Sequence, residues 1–409
     1  MPCAYTDART PLPRRIIKDV RERFNRLQKC QRATGSPANM RPPSVGAGRG
    51  IGSANVVSAA LRPPPLMFFK HGDSRGERIK SMARWPDPMS SEATHFNRRL
   101  ELDVIVVSER RNFTKDDCRQ HFSLDSETWT PQALIGCGWR LVARNTIIVH
   151  EIDDDFHIIA MFLNEIQSPE LRSALEYAEA AAGGMFRYLR LLPRLKAKGD
   201  VISAGLHRGR NHLSFGNMVM EGAYVGIYGS TKGAHYYARC EDADRDADFL
   251  RAEALHFTGL QAMERLHVPC YYANRMAFSE RVGFPGMIPA VPLENLACIS
   301  ASCTKGYACD AHSDSAVRGA AESVYWHKPQ AFKMPKGHIW CFAICDACVL
   351  FDLGVASSCV CYLPGRGVVH GTLPTSAEHY EHSGNGFALV TKARSVGPRG
   401  KEHFASMRS

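Results

Sequence analysis

No run of apolar residues in this chain approaches the roughly 18 that a membrane-spanning helix needs, so the sequence predicts no membrane partner. The opening Met1-Pro2-Cys3-Ala4-Tyr5 lacks the apolar core of a secretory signal, which predicts an intracellular protein. A regular disulfide framework is also missing. The fourteen cysteines are scattered and are expected to be reduced thiols. Cys345-Asp346-Ala347-Cys348 and Cys359-Val360-Cys361 are isolated close pairs inside apolar runs, without the four recurrent ligands of a zinc site. Cysteine in such runs packs as a small hydrophobe. Gly229-Ser230-Thr231-Lys232-Gly233 lacks the G-x-x-x-x-G-K-S/T order of a phosphate loop, and no internal repeat is visible. Acidic residues are in deficit, 41 against 51 Lys and Arg, for a net charge of +10. Such a surplus favours an anionic partner, nucleic acid being the commonest, with a merely basic soluble protein as the plain alternative.

What is present is an ordinary globular composition, 44% hydrophobic and 22% charged over 409 residues. That length supports one large domain or two medium ones. Residues 1–50 carry eleven Lys and Arg against three Asp and Glu. Within them Ile16, Val20, Phe24 and Leu27 fall on one stripe of a candidate basic amphipathic helix. Residues 35–65 are rich in Gly, Pro, Ser and Ala and end in Pro63-Pro64-Pro65, a linker composition. The division expected is a basic arm and linker over 1–65, one catalytic domain over 66–398 and a tail over 399–409.

Strands are expected at 102–107, 145–150 and 156–162, the last two separated by Asp153-Asp154-Asp155. Ser168-Pro169-Glu170 opens a helix to about 192, with an N-cap, a first-turn proline and an acidic first turn. A second helix is expected over 243–266. From 296 onward short strands broken by Gly and Pro dominate, at 337–344, 349–353, 358–363, 367–370 and 387–394. Helices followed by strands predict an α+β protein with helices packed on one side of a β-core.

Chemistry concentrates in that β-rich region. His312 and Asp314 are two residues apart, so on a strand both point to one side. His370 lies 56 residues after Asp314, directly behind the turn Pro364-Gly365. Two imidazoles and one carboxylate can hold one face of an octahedral metal and leave the other open, as in non-heme Fe(II) oxygenases. The alternatives are structural, with His370 a buried core histidine and Asp314 the cap of a turn. His327, His338 and His382 are rival ligands.

The order of His312-Ser313-Asp314, a strand Leu350-Phe351-Asp352-Leu353, then Leu363-Pro364-Gly365, then His370-Gly371 and a closing apolar strand resembles the TET/J-binding-protein family of Fe(II)-dependent DNA nucleobase oxygenases, in its compact fungal and algal form. The likeness covers about residues 185–396, with its specific part at 305–396. It implies a double-stranded β-helix, or jelly roll, over about 296–396. It also implies Fe(II) bound by His312, Asp314 and His370, and oxidation of the methyl group of 5-methylcytosine in nuclear double-stranded DNA. Most members clamp the far carboxylate of 2-oxoglutarate with an arginine on the closing strand. Positions 380–386 read Tyr-Glu-His-Ser-Gly-Asn-Gly and hold none. Lys392, Arg394 and Arg366 are the substitute candidates. An algal branch uses ascorbate instead and attaches a glyceryl group to 5-methylcytosine, and the absent arginine fits that branch.

Arg194, Lys196, Lys198, Arg208 and Arg210 cluster ahead of a glycine-rich stretch and are candidates for phosphate contact. An enzyme that acts on a base in a duplex must extrude it, and Tyr236, Tyr237, Tyr271, Tyr272, Tyr325 and Trp326 are candidate stacking partners. Trp326, just after the metal motif, is the foremost of these. The reading is an iron-dependent dioxygenase of methylated DNA. Three alternatives stand beside it: the ascorbate-dependent reaction, demethylation of N6-methyladenine or RNA by the same fold, and an inactive basic DNA-binding module.

Overall fold

The computed structural model describes residues 61–86, 96–164, 172–173, 175–176, 179, 197–205, 227–230, 233–236, 260–282, 300–314, 321–328, 339–364, 367–374 and 385–390. Residues 59–409 cluster as one compact unit. Among the described residues the architecture is mixed α and β, with two main sheets and few helices. The basic helix expected near residues 13–27 lies outside the described residues.

The first elements are strand β1 (Leu66–Phe69), helix α1 (Ser74–Met82) and strand β2 (Asp103–Val107). Asp73 caps α1 by accepting from the Arg75 and Gly76 amides. β2 reads Asp-Val-Ile-Val-Val and is buried along its whole length, as its unbroken apolar run predicts. Helices α2 (Lys115–His121) and α3 (Pro131–Gly136) follow. Thr114 and Asp117 form a reciprocal capping box on α2, and Thr130 with Pro131 opens α3. Next come β3 (Arg140–Val142), β4 (Thr146–Ile152) and β5 (Asp155–Leu163). The β4–β5 hairpin turns at Asp153 and Asp154, both left-handed at φ 49° and 65°, a conformation aspartate tolerates better than most residues. β6 (Ala197–Gly205) and the hairpin β7 (Ile227–Ser230) with β8 (Gly233–Tyr236) precede helix α4 (Pro269–Val282).

The remaining strands are β9 (Ser300–Cys309), β10 (Ala321–His327), β11 (Cys341–Ile344), β12 (Val349–Asp352), β13 (Ser358–Pro364), β14 (His370–Thr372) and β15 (Asn385–Val390). The larger sheet has nine strands in the order β1-β2-β4-β5-β13-β10-β15-β9-β6. The smaller has four, in the order β14-β11-β12-β3. The core between them is apolar and aromatic. Phe162 of the large sheet stacks on Phe351 of the small one with ring centroids 4.4 Å apart, and Trp326 meets Phe342 at 4.8 Å.

Helical residues cover the outer face of β10. On that face Ser323 donates to Glu264, Tyr325 Oη donates to the Leu260 carbonyl at 3.0 Å, and His327 pairs with Glu179 at 2.8 Å. The helix expected over 168–192 is helical at its described positions, with Leu175 fully buried. Of the one expected over 243–266, the described part is helical from 260. Helix α4 was not legible, because its Tyr, Asn, Arg and Ser positions blur a helical stripe. Cys341, Cys345, Cys348, Cys359 and Cys361 are all buried and unbridged, and burial pushes each thiol up.

Candidate metal centre

β9 ends at Cys309, and the chain runs on through Asp310 and Ala311 to His312. There it pairs with the start of β14. The His312 amide donates to the His370 carbonyl at 2.8 Å, and the His370 amide returns the bond at 2.8 Å. This closely spaced antiparallel pair sets the two histidines directly across from each other. Their ring centroids are 4.8 Å apart. Asp314, two residues on, brings its Oδ2 to 3.8 Å from the Nε2 of each histidine. The three ligand atoms lie within 4.8 Å of one another, and among the described residues no other group of three or more His, Cys, Asp or Glu does so.

The scaffold beneath this bridge comes from elements distant in sequence. The Ala311 amide donates to Phe122, and Asp310 Oδ1 accepts from the Leu124 amide at 2.7 Å. Trp129 Nε1 donates to the Cys309 carbonyl at 2.9 Å. Gly371 is needed for this packing, since a Cβ there would stand 2.9 Å from the Trp129 ring and 3.3 Å from Ala311 Cα. On the other flank the buried Asp346 carboxylate accepts from the Val369 amide at 3.2 Å and from Arg110 Nε at 3.0 Å. The Cys345 amide donates to the Val369 carbonyl at 2.8 Å. The residue before His370 is therefore held from both its N–H and its C=O. Burial pushes the Asp346 carboxyl up to about 6, against the opposing pull of Arg110.

The hydrogen bonds fix both tautomers. His312 Nδ1 stands 3.0 Å from the Asp310 carbonyl and His370 Nδ1 stands 3.1 Å from the Val368 carbonyl. A carbonyl only accepts, so each Nδ1 carries a proton and each ring turns its Nε2 toward Asp314; His370 is neutral and presents a lone pair there, whereas His312 must give up its Nε2 proton to ligate. That is how proteins prepare histidine as a metal ligand. Donors bonded at about 2.1 Å to one divalent ion, at right angles to each other, stand about 3 Å apart. The observed 3.8 Å spacing closes to that value by small side-chain rotations.

The local field favours a cation. Burial works against a charge on His312, but the Cys309 sulfur and the Asp314 carboxylate prevail and push its pKa upward. The side chain of His312 retains 41% exposure, so the centre opens to solvent on that side. Burial holds His370 down at about 4, with the neighbouring His312 adding to the effect, so its ring is neutral and free to ligate near neutral pH.

The structure thus brings together His312, Asp314 and His370 as the spacing suggested. Arg194, Lys196, Arg208, Arg210, Arg366, Lys392 and Arg394 lie outside the described residues, as do the rival ligands His338 and His382. Lys198 lies on β6, paired with Ala308 of β9. His327, the remaining rival, faces the helical side of β10 and binds Glu179 at 2.8 Å. Three stacking candidates are corrected. Trp326 is buried in the core at 3% exposure, Tyr325 is wholly buried, and Tyr271 is buried against Trp85 at 4.5 Å. Their alternation on an apolar strand or helix face answers to packing, not to a base. One residue was missed. Glu322 of β10 is buried, and its Oε2 stands 3.7 Å from His370 Nε2. Its signal in the sequence was an acid on the same strand face as Val324 and Trp326.

No protein-family model matches this chain, and no curated protein matches it.

Proposed function

We propose that the protein is an Fe(II)-dependent dioxygenase that oxidises the methyl group of 5-methylcytosine in DNA. The observation that carries the metal reading is the pair of imidazoles tethered through Nδ1 to backbone carbonyls, both Nε2 atoms facing the Asp314 carboxylate at 3.8 Å. Iron held there by three protein ligands would supply one-electron and O₂ chemistry on its open side. His312, Asp314 and His370 hold the ion. Asp346, Val369 and the Trp129–Gly371 contact hold His370 and its neighbours in register, so the geometry needs little reorganisation. The exposed edge of His312 is the side from which a substrate would approach.

The proposed fold is a double-stranded β-helix. It is supported by the run β9-β15-β10-β13 in the large sheet, opposite β14-β11-β12 in the small one. The His312 bridge to β14 extends the small sheet by one more pairing. From β9 onward the chain passes between the two sheets repeatedly, the alternation a jelly roll requires. The choice of DNA rests on the net charge of +10 and on the motif order of His312, Asp314 and His370, which resembles the TET/J-binding-protein oxygenases. The nuclear location goes with that substrate.

The test is anaerobic loading with Fe(II), then incubation in air with methylated duplex DNA. Parallel arms contain 2-oxoglutarate or ascorbate, and nucleosides are read by mass spectrometry. A new nucleoside derived from 5-methylcytosine, absent for Asp314→Ala, is the expected result. The co-substrate arm that yields it decides between the 2-oxoglutarate and ascorbate reactions, a question raised by the lack of arginine at 380–386. DNA binding without a new nucleoside in either arm, despite stoichiometric iron, overturns the oxygenase reading in favour of a binding module.

A further inference from the structure

Strand β10 runs between β13 and β15, and its two faces have different occupants. Ser323, Tyr325 and His327 meet helical residues. Val324 and Trp326 pack into the core between the sheets. By the alternation of a strand, Glu322 belongs to the inner face, at the end of that row nearest His370. Two further observations agree with this placement. Glu322 acts electrostatically on the buried Cys361 thiol of the core, and its Oε2 lies 3.7 Å from His370 Nε2.

The 3.7 Å from Glu322 Oε2 to His370 Nε2 matches the 3.8 Å from Asp314 Oδ2 to the same nitrogen. Cis donors on a six-coordinate ion stand about 3 Å apart, so the Glu322 and Asp314 oxygens must each close on His370 Nε2 by a similar small amount. Glu322 is not in the set of donors that lie within 4.8 Å of one another. Its side chain is one methylene longer than that of aspartate, and rotation about its χ angles moves the carboxylate relative to His370 Nε2.

We propose that Glu322 is the fourth side chain of the centre, so that the resting metal site is a two-histidine, two-carboxylate set rather than a bare triad. The proposal rests on the metal reading above. Two carboxylates neutralise a divalent ion, and Glu322 takes one of the three coordination positions that the triad leaves open. A chelating co-substrate and O₂ together need all three. Glu322 therefore keeps the resting centre closed to that combination and must yield a position when a chelating co-substrate binds.

Co(II), which reports its ligand set by visible absorption, is titrated into the full chain by calorimetry and spectroscopy without co-substrate. Glu322→Gln keeps the shape and removes the charge. It should weaken Co(II) binding by roughly tenfold or more, the scale set by the loss of even an outer partner of a metal ligand, and alter the visible band. Glu322→Asp keeps the charge on a shorter arm and should also alter the band. This variant carries the test if the glutamine protein does not fold. Wild-type affinity and spectrum in both variants overturn the proposal while binding by the wild type upholds the triad. Weaker binding with an unchanged band also overturns it, because the carboxylate then acts through space and not as a ligand. Loss of binding in His312→Ala serves as the control. No Co(II) uptake by the wild type overturns the metal reading itself and this proposal with it.

Discussion

The two faces of β10 lie against two polar clusters built on different principles. On the outer face Glu264, fully buried, accepts from Arg275 Nε at 2.9 Å and Nη2 at 2.7 Å and also from the Ser323 hydroxyl. Every charge there meets its complement within the protein. Around the inner face the Nε2 atoms of His312 and His370 both stand 3.8 Å from Asp314 Oδ2, and Glu322 Oε2 stands 3.7 Å from His370 Nε2. Imidazole and carboxylate groups gathered in this way are the side chains that can share one metal ion. The first cluster holds the helices on the sheet, and the second is the one proposed to take up an ion.

The sharpest way to break this contrast is Asp314→Ala. It should weaken Co(II) or Fe(II) binding by more than the roughly tenfold to hundredfold that outer partners contribute, and abolish turnover. Calorimetry measures the first. Urea unfolding of the metal-free protein should meanwhile show a smaller loss than a buried pair would give, since Asp314 is part-exposed and stands 3.8 Å from each histidine. Arg275→Met should do the reverse. It strands the buried Glu264 charge, which is expected to lower stability by about 3–5 kcal/mol. In whatever fraction remains folded, Co(II) affinity should stay near wild type.

Gly371→Ala probes the scaffold beneath the His312–His370 bridge. Its Cβ would overlap the Trp129 ring at 2.9 Å, so the bridge or the ring must move. A stability loss of about 1–3 kcal/mol is expected, together with weaker metal binding. A mutant with wild-type affinity would show that the bridge tolerates displacement.

The smallest effect concerns pH. Burial holds His267 and His370 at about 4, below their usual 6.5. In the window from 6.5 down to 4 the unfolded chain takes up protons at both sites and the folded chain does not. Their contribution to stability is thus complete above 6.5 and is lost as pH falls toward 4. His267→Gln, which can keep a hydrogen bond to Tyr362, should flatten the fall of the urea midpoint across that window. An identical slope in wild type and variant would contradict the assignment.

Much of the β-structure was legible because burial writes itself into composition. The Val-Ile run of β2, the hairpin around Asp153 and Asp154, and the strands β11 to β13 follow from apolar runs bounded by turn residues. The triad was legible for a local reason: His312 and Asp314 sit two apart, and His370 follows a turn. Where local pattern and tertiary packing diverge, the sequence misled. Trp326 beside the metal motif suggested a stacking surface, but its strand face points it at Phe342. Glu322 went unnoticed because a single acid on a strand has no periodic signature.

The sequence by itself determined which residues could ligate a metal, the surplus of positive charge, and the presence of short buried strands. These are properties of residue type and near-neighbour spacing. Only the tertiary structure decided that residues 312 and 370 pair backbone to backbone, that Asp310 and Val368 set the histidine tautomers, and that Glu322 faces the same centre. Each of those facts depends on which strand lies beside which. Sheet order joins segments far apart in the chain, and it is set by the packing of the whole core rather than by any local run of residues.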